Sequence, residues 1–476
     1  MADQPLGEMK PFLRPGVVFS ETQKGCDVLD LIDLRHLETS PGSLAVLKRC
    51  NGKHTVEEIV SAVADQSSLR RPELESSVPD FIASLIDRDI LLSGDPVVGT
   101  PAPPPSRPGV VFLEVTRSCN LNCVWCYNNS RAALARELTC EQWKRCIDRL
   151  GGGDCTLLFT GGEPLARKDL IDIAQHAKQK GFRLQLFTNG TLVNERNVDA
   201  LAATFDYVRI TIDGATAETN DLVRGKGSFD RALRGMRMLI DAGVRVCWQC
   251  IVSRHNIREL PAILDKAIEV GASGIRMASV DALGRGCSTR DLELSPAQEF
   301  FFWRYLAWAM EEFKSRIQID WGADYCLEQD WSTVMSIEPG KAPSATPAGR
   351  KDPRFYMKFA RTSACGVGVR SFLINPEGFI GLCPLLTPPD VVLGHALTDD
   401  PLEVWQRHPV FSVFRQMRLE DYDDCAQCGF RYRCMAGCRG RAYQFQKSLT
   451  RCDEKMLKYF VLPREGNTSP TPSPAS

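Results

Sequence analysis

The chain has 476 residues, enough for two to four domains with buried cores. Its 43% hydrophobic content is that of an ordinary water-soluble globular protein, and a formal net charge of −1 gives no pull toward nucleic acid or a membrane surface. Prolines and charges break up "MADQPLGEMKPFLRPGVVFS", so it lacks the apolar core of a signal peptide; no run is long enough for a transmembrane helix, and a cytoplasmic protein is expected.

Nineteen cysteines stand against six histidines. Cytoplasmic thiols stay reduced, which argues against a disulfide framework. Clustered thiols with few histidines favour all-cysteine metal sites, of which iron–sulfur clusters and zinc are the main cases.

Residues 1–93 form a first unit. "VLDLIDL" has strand character and "PGSLAVLKRC" reads as a short helix stopped by "NG". Thr55 and Glu58 make a capping-box pattern ahead of Val56, Ile59, Val60 and Val63. "VPDFIASLIDRDILL" supplies a last helix. Strands followed by three short helices give a winged-helix-like plan. With neutral charge and no catalytic constellation, it reads as a binding module rather than a DNA reader. "LIDLRHLETSPGSLAVLKRCNGKHTVEEI" and "LIDRDILL" resemble PqqD-like domains, a resemblance that implies recognition of a precursor-peptide leader. A proline-rich linker, 94–109, follows.

Residues 110–320 alternate strand and helix patterns. The strands are "VVFLEVT", "CTLLFTGG", "RLQLFTNG", "YVRITIDG", "RVCWQCIVS" and "IRMASVDA". Such alternation predicts parallel strands with right-handed helical crossovers. Strands that run into "TRSC", "TGGEP", "TNG" and "IDG" place polar turns at one face, where a β/α barrel builds its chemistry. About six units make a partial barrel.

Directly after the first strand, Cys119, Cys123 and Cys126 follow the spacing C-x-x-x-C-x-x-C. A 4Fe–4S cluster has four irons to ligate, so three thiols leave one iron open. A zinc loop is the bland alternative, disfavoured because no fourth ligand stands nearby. "CNLNCVWCYNN" resembles the signature of radical S-adenosylmethionine (radical SAM) enzymes. The resemblance implies that the open iron chelates the amino and carboxylate groups of S-adenosylmethionine, whose cleavage gives a 5′-deoxyadenosyl radical that abstracts a substrate hydrogen. It also implies cofactor roles for further residues. Gly161, Gly162 and Glu163 of "GGEP" would meet the methionyl amino group. Thr188 and Asn189 of "TNG", and Thr211 and Asp213 of "TIDG", close later strands. Arg224 would pair with the cofactor carboxylate, and Trp125 would lie near the adenine.

Residues 321–462 carry a second cysteine set: Cys365, Cys383, Cys425, Cys428, Cys434, Cys438 and Cys452. Its spacing is similar to the SPASM domain of peptide-modifying radical enzymes. That resemblance implies two auxiliary 4Fe–4S clusters, making three in all. Cys425, Cys428, Cys434 and Cys452 would hold the distal one, and Cys365, Cys383 and Cys438 the proximal one. No cysteine stands shortly before Cys365, so the proximal cluster either keeps an open iron or is closed by a distant thiol such as Cys326. Pro384 stands where side-chain-oxidising relatives have an aspartate. Cys26, Cys50, Cys140, Cys146, Cys155, Cys247, Cys250 and Cys287 read as small core hydrophobes. In "CWQC" strand alternation should send Cys247 and Cys250 to opposite faces. Residues 463–476 read as a disordered tail.

The expected fold is therefore α/β: a partial (β/α)6 radical SAM barrel between an N-terminal winged-helix-like, PqqD-like domain and a C-terminal SPASM domain. The implied activity is cross-linking of a ribosomally made peptide or small protein subunit bound through its leader, with an external low-potential electron donor. An intrapeptide thioether is the leading product, as in the class that matures the quinohemoprotein amine dehydrogenase small subunit. A carbon–carbon cross-link and a non-catalytic iron–sulfur scaffold are the alternatives.

Overall fold

The computed structural model describes residues 5–13, 17–22, 25–30, 35–66, 70–88, 90–92, 106–321, 367–386, 391–416, 421–424, 436–453 and 455. Most of the 94–109 linker and the whole 463–476 tail lie outside the described residues.

The N-terminal unit begins with β1 (Phe12–Leu13), followed by an antiparallel meander of β2 (Val17–Thr22), β3 (Gly25–Asp30) and β4 (Arg35–Thr39). Helices α1 (Pro41–Leu47), α2 (Val56–Ala64) and α3 (Arg71–Asp87) come next, and β5 (Leu91–Leu92) returns to pair antiparallel with β1. The capping box forms as read: Glu58 N–H donates to Thr55 Oγ1 at 3.2 Å, and Thr55 N–H donates to Glu58 Oε2 at 2.9 Å. It fixes the start of α2, whose Val56, Ile59, Val60 and Val63 are buried against Ile82 and Leu85 of α3. Helix α3 starts at Arg71, well ahead of the apolar run that announces it, and continues through Pro79. A proline inside a helix forfeits one internal hydrogen bond, which the burial of Leu74, Val78, Ile82 and Leu85 offsets.

All six expected barrel strands are present: β6 (Val110–Thr116), β7 (Thr156–Gly161), β8 (Arg183–Thr188), β9 (Tyr207–Thr211), β10 (Val246–Val252) and β11 (Gly274–Ser279). They pair in parallel and in chain order. The crossovers are helical: α4 (Cys140–Arg149), α5 (Leu170–Gln179), α6 (Val198–Thr204), α7 (Ala217–Arg224) with α8 (Ser228–Asp241), and α9 (Leu260–Glu269). Two features go beyond the six units. After α10 (Pro296–Glu312), a short β12 (Gln318–Trp321) adds parallel to β11. At the opposite edge β13 (Ser371–Ile374) adds parallel to β6, with Leu373 opposite Phe112. Strands β14 (Phe379–Gly381) and β15 (Gly394–His395) extend that edge antiparallel. The C-terminal segment thus shares a sheet with the barrel.

Strand alternation sorts the side chains. Val111, Leu113 and Val115 enter the main core with Trp143 and Phe159, whereas Phe112 packs with Leu158, Leu373 and Phe187 on the other face. That inner face also holds buried polar groups. The Arg209 guanidinium lies 4.2 Å from the centre of the Phe187 ring, and neither amide atom of the buried Gln185 has a partner. Cys247 and Cys250 do point apart: Cys250 joins the outer core, and Cys247 stays on the side where the Arg209 charge acts on it. Cys50, Cys146 and Cys155 are buried as expected, and Cys140 is half-buried. Cys287 is not a core residue. It is exposed, because it sits on a 3-10 segment, Gly284–Leu292, that crosses the end of the barrel instead of lying on an apolar face. The side chain of Cys26 lies outside the described residues.

Asn256 locks the ends of β9 and β10 together. Its Nδ2 donates to Asp213 O and Ile251 O, each at 2.8 Å, and its Oδ1 accepts from Ser253 N–H at 2.8 Å. Asn256→Ala strands three buried backbone groups. At about 1–3 kcal/mol for each unmade bond, the variant should lose roughly 3 kcal/mol or more in chemical denaturation. A loss below about 1 kcal/mol would show that the strand ends hold without it.

Candidate active site and metal-ligand loops

The three triad cysteines lie on the loop that leaves β6. Several neighbours fix this loop. Gly162 N–H donates to Thr116 O at 2.8 Å, and Glu163 N–H donates to Ser118 O at 2.8 Å. A Cβ on Gly161 would overlap the Thr116 carbonyl oxygen, and one on Gly162 the Ser118 carbonyl oxygen. Gly161 also has φ +134°, in the region that favours glycine. The two glycines therefore serve the approach of turn to cysteine loop, a role distinct from the cofactor approach the motif implies. On the far side Val124 N–H donates to Val223 O at 3.0 Å, and Arg285 binds Cys126 O through its N–H (3.0 Å) and Cys123 O through Nε (3.2 Å).

Glu163 is fully buried. Its Oε1 accepts from Thr188 Oγ1 (2.6 Å) and Leu165 N–H (3.0 Å), and its Oε2 accepts from Asn189 N–H (2.7 Å). Burial raises its pKa against the pull of these donors. Asn189 Nδ2 in turn donates to Asn120 Oδ1 on the cysteine loop at 2.9 Å. Asp213 is likewise buried, accepting from Arg224 Nε at 2.6 Å and from Ile251 N–H at 2.8 Å. Arg224 Nη1 reaches Cys123 Sγ at 3.9 Å. Burial works against the Arg224 charge, but Asp213 and Cys123 outweigh it and hold the guanidinium firmly protonated. Thr211, half-buried, ends β9 opposite Gln249. The structure thus gathers Cys119, Cys123, Cys126, Gly161, Gly162, Glu163, Thr188, Asn189, Asp213 and Arg224 around one loop.

Burial pushes the Cys119 thiol up to about 11, with the neighbouring Cys123 and Cys126 adding to the rise, and burial also raises Cys123, to which Cys126 adds. Among the described residues, no three His, Cys, Asp or Glu side chains converge to metal-binding geometry. The donor set nonetheless fits an iron–sulfur centre: three thiols on one loop, within each other's electrostatic range, beside a buried arginine. Trp125 fits a cofactor base in the same way. Its ring packs with Val223 and Val280, and its indole N–H is buried without an acceptor.

Of the second cysteine set, Cys383, Cys438 and Cys452 are described; Cys365, Cys425, Cys428 and Cys434 lie outside the described residues, as does Cys326. Cys438 stands at the N-terminal cap position of α11 (Arg439–Gln446), and its N–H donates to Asp453 Oδ2 at 2.8 Å. Cys452 N–H donates to Asp424 Oδ2 at 2.6 Å. A cavity of about 440 Å³ separates the triad loop from this segment, with Arg117, Asn128, Asn375, Glu377 and Pro384 in its wall. Pro384 therefore does face a cavity, and it brings no base there.

Sequence reasoning missed the carboxylates behind the triad loop. Glu137 Oε1 accepts from Arg117 N–H (2.7 Å), and its Oε2 accepts from Thr116 Oγ1 (2.8 Å). Glu114, inside "VVFLEVT", is fully buried and meets Arg117 Nη2 at 3.1 Å and Asn128 Nδ2 at 3.3 Å. A lone acid within an apolar strand was the available signal.

Burial lifts the Glu114 carboxyl from 4.5 to about 7, against the opposing pull of Arg117 and Asn128. A raised carboxyl pKa means the folded state holds the proton longer than the unfolded chain. Its contribution is complete below pH 4.5 and is lost as pH rises through 7, costing up to about 3 kcal/mol. Cluster-free Glu114→Gln should therefore show a flatter fall of unfolding free energy between those pH values than the wild type. Identical pH profiles would contradict the buried neutral acid.

Comparison with known proteins agrees with this arrangement. Residues 113–267 match the Radical SAM superfamily, residues 31–91 match the coenzyme PQQ synthesis protein D family, and residues 365–429 match an iron–sulfur cluster-binding domain, SPASM. The AdoMet-dependent heme synthase of Methanosarcina barkeri (strain Fusaro / DSM 804) is 32% identical over 71% of this chain and 93% of its own length. The mycofactocin maturase MftC of Mycolicibacterium smegmatis is 31% identical over 68% of this chain and 76% of its own. In fold, the chain is similar to Streptococcus suis SuiB bound to its precursor peptide SuiA, with TM-score 0.56, 16% identity, and coverage of 94% of this chain and 99% of that one. With the cysteine loop, the strand-end motifs and these relatives in agreement, the chain belongs to the radical SAM superfamily: a radical SAM enzyme with a PqqD-like domain before its core and a SPASM domain after it, whose cofactors are S-adenosylmethionine and 4Fe–4S clusters.

Proposed function

We propose that the enzyme installs a cross-link, foremost an intrapeptide thioether, in a ribosomally made peptide or small protein subunit. The observation that carries this reading is the pairing of a PqqD-like unit at 31–91 with the cysteine triad beside a SPASM segment. SuiB, similar in fold, is described with a bound precursor peptide, and MftC is named a maturase. Cys119, Cys123 and Cys126 would hold the radical cluster, Arg224 and Glu163 would face the methionyl group, and Trp125 the adenine. Cys425, Cys428, Cys434 and Cys452 would hold the distal auxiliary cluster, and Cys365, Cys383 and Cys438 the proximal one. Bound cofactor supplies hydrogen-atom abstraction from an unactivated carbon. The chain's own share is to seat the peptide and to keep the cluster loops at fixed spacing. A leader strand pairing along an edge of the β2–β3–β4 sheet suits the N-terminal unit. An external low-potential donor would supply electrons. No helix among the described residues is long and apolar enough to cross a membrane, and nineteen cysteines suit the reducing cytoplasm.

A second reading has a specific observation behind it: AdoMet-dependent heme synthases, at 32% and 28% identity, stand among the relatives. A tetrapyrrole substrate needs no leader, so the PqqD-like unit favours the peptide.

Anaerobically reconstituted protein should bind about twelve irons if all three clusters are cubanes. Replacing Cys119, Cys123 and Cys126 together by alanine should remove about four and abolish 5′-deoxyadenosine formation. A full complement of zinc would defeat the assignment.

The product is tested by mass. Coexpression with a candidate precursor peptide should lower the peptide by two hydrogens for each bond and remove one alkylatable thiol. The same mass loss with every thiol retained indicates the carbon–carbon product. Deleting residues 1–93 should spare cofactor cleavage while strongly reducing peptide conversion. Conversion at an undiminished rate would exclude leader binding by that unit, and modification of a tetrapyrrole but no peptide would favour the second reading.

A further inference from the structure

A buried cluster of four charged side chains, Arg441, Asp453, Asp281 and Lys455, lies between barrel and SPASM segment, at a cysteine assigned to the proximal cluster. Arg441 on α11 donates through Nε and Nη2 to both carboxylate oxygens of Asp453, at 3.2 and 2.7 Å. Its Nη1 donates to Asp281 Oδ2, beyond the end of β11, at 3.2 Å. Lys455 Nζ donates to the other Asp281 oxygen at 2.6 Å, and to Ser279 Oγ and Val280 O at 3.0 and 2.9 Å. Asp453 is fully buried, and its Oδ2 also accepts the Cys438 N–H at 2.8 Å.

The bonds continue to the other cysteine loop. Leu283 N–H donates to Asp281 O at 2.8 Å, Gly286 N–H to Leu283 O at 2.9 Å, and Arg285 N–H to Cys126 O at 3.0 Å. One short run of chain therefore connects the Asp281 clasp to the radical triad, while Asp453 connects it to Cys438.

We propose that Arg441 is a positioning residue: it fixes Cys438 against the barrel and sets the reduction potential of the auxiliary cluster that Cys438 ligates. The inference rests on the assignment of Cys438 as a ligand given above. A fork donor bonded to both oxygens of one carboxylate, and to a second carboxylate, holds three groups in one geometry, which a point-charge lysine does less well. A buried charge beside a cluster favours the state of opposite sign, and net charge and hydrogen bonding near the sulfurs are what set cluster potentials. The Arg441 cation favours the reduced, more negative cluster. The Asp453 anion disfavours it.

Charge-changing variants of the reconstituted holoenzyme therefore have opposite expected signs in EPR-monitored redox titration. Arg441→Met should move one auxiliary cluster to a more negative midpoint, and Arg441→Lys should restore most of the shift. Asp453→Asn keeps an acceptor for the Cys438 N–H and should move the same cluster to a more positive midpoint. The SAM-binding cluster should stay unmoved in all three. Shifts of one sign in both Arg441→Met and Asp453→Asn, or no shift in either, would overturn the proposal. If Arg441→Met fails to retain the cluster, Asp453→Asn decides alone, and an unmoved midpoint there refutes the tuning. Cys438→Ala separates the two levels of the argument. It should lose iron, and full iron in that variant would overturn the ligand assignment itself, and the inference with it.

Discussion

Everything at the candidate site depends on two buried carboxylates that staple successive strand ends together. Glu163, after β7, accepts from Thr188 at the end of β8 and from Asn189 just after it. Asp213, after β9, accepts from Arg224 and from Ile251 of β10. Each staple needs a polar acceptor in a dry place, which is tolerable only when donors meet it. The result is a rigid rim on which the cysteine loop can rest without regular structure of its own. The glycines of "GGEP" belong to the same arrangement, since only a turn without Cβ atoms comes close enough to bond Thr116 O and Ser118 O.

This gives the motif residues a reading different from simple ligand contact. Glu163 already accepts three bonds from the chain, and Arg224 is already paired with Asp213. Their first task is to hold the rim. Contact with a bound methionyl group would use the acceptor and donor capacity that remains, on atoms whose positions are already fixed. Preorganisation of this kind is what a site handling a reactive radical requires, because the reacting atoms must meet in one geometry.

Much of this was legible in the sequence. The barrel strands could be read because alternating apolar residues ended in polar or glycine turns, as in "VVFLEVT" before "RSC", and β6 spans that run from end to end. The capping box at Thr55 was equally plain. Three things were not legible. Strand β12 is short and carries a charged Asp320, and β13 is separated from the barrel by a long stretch of chain, so their pairing is a tertiary fact that local pattern does not contain. Cys287 looked like any other scattered thiol until the 3-10 segment placed it at the surface. Long-range ion pairs such as Arg441 with Asp281 leave no trace in spacing, because the residues meet only through the fold.

The account stands or falls on whether the cysteine triad presents an open iron to S-adenosylmethionine. Pulsed EPR of the reduced protein with S-adenosylmethionine carrying a nitrogen-15 label in its amino group tests this directly. The account predicts a hyperfine coupling between that nitrogen and the reduced cluster, lost when Cys119, Cys123 and Cys126 are replaced. A reduced cluster signal with no coupling to the labelled nitrogen would contradict it.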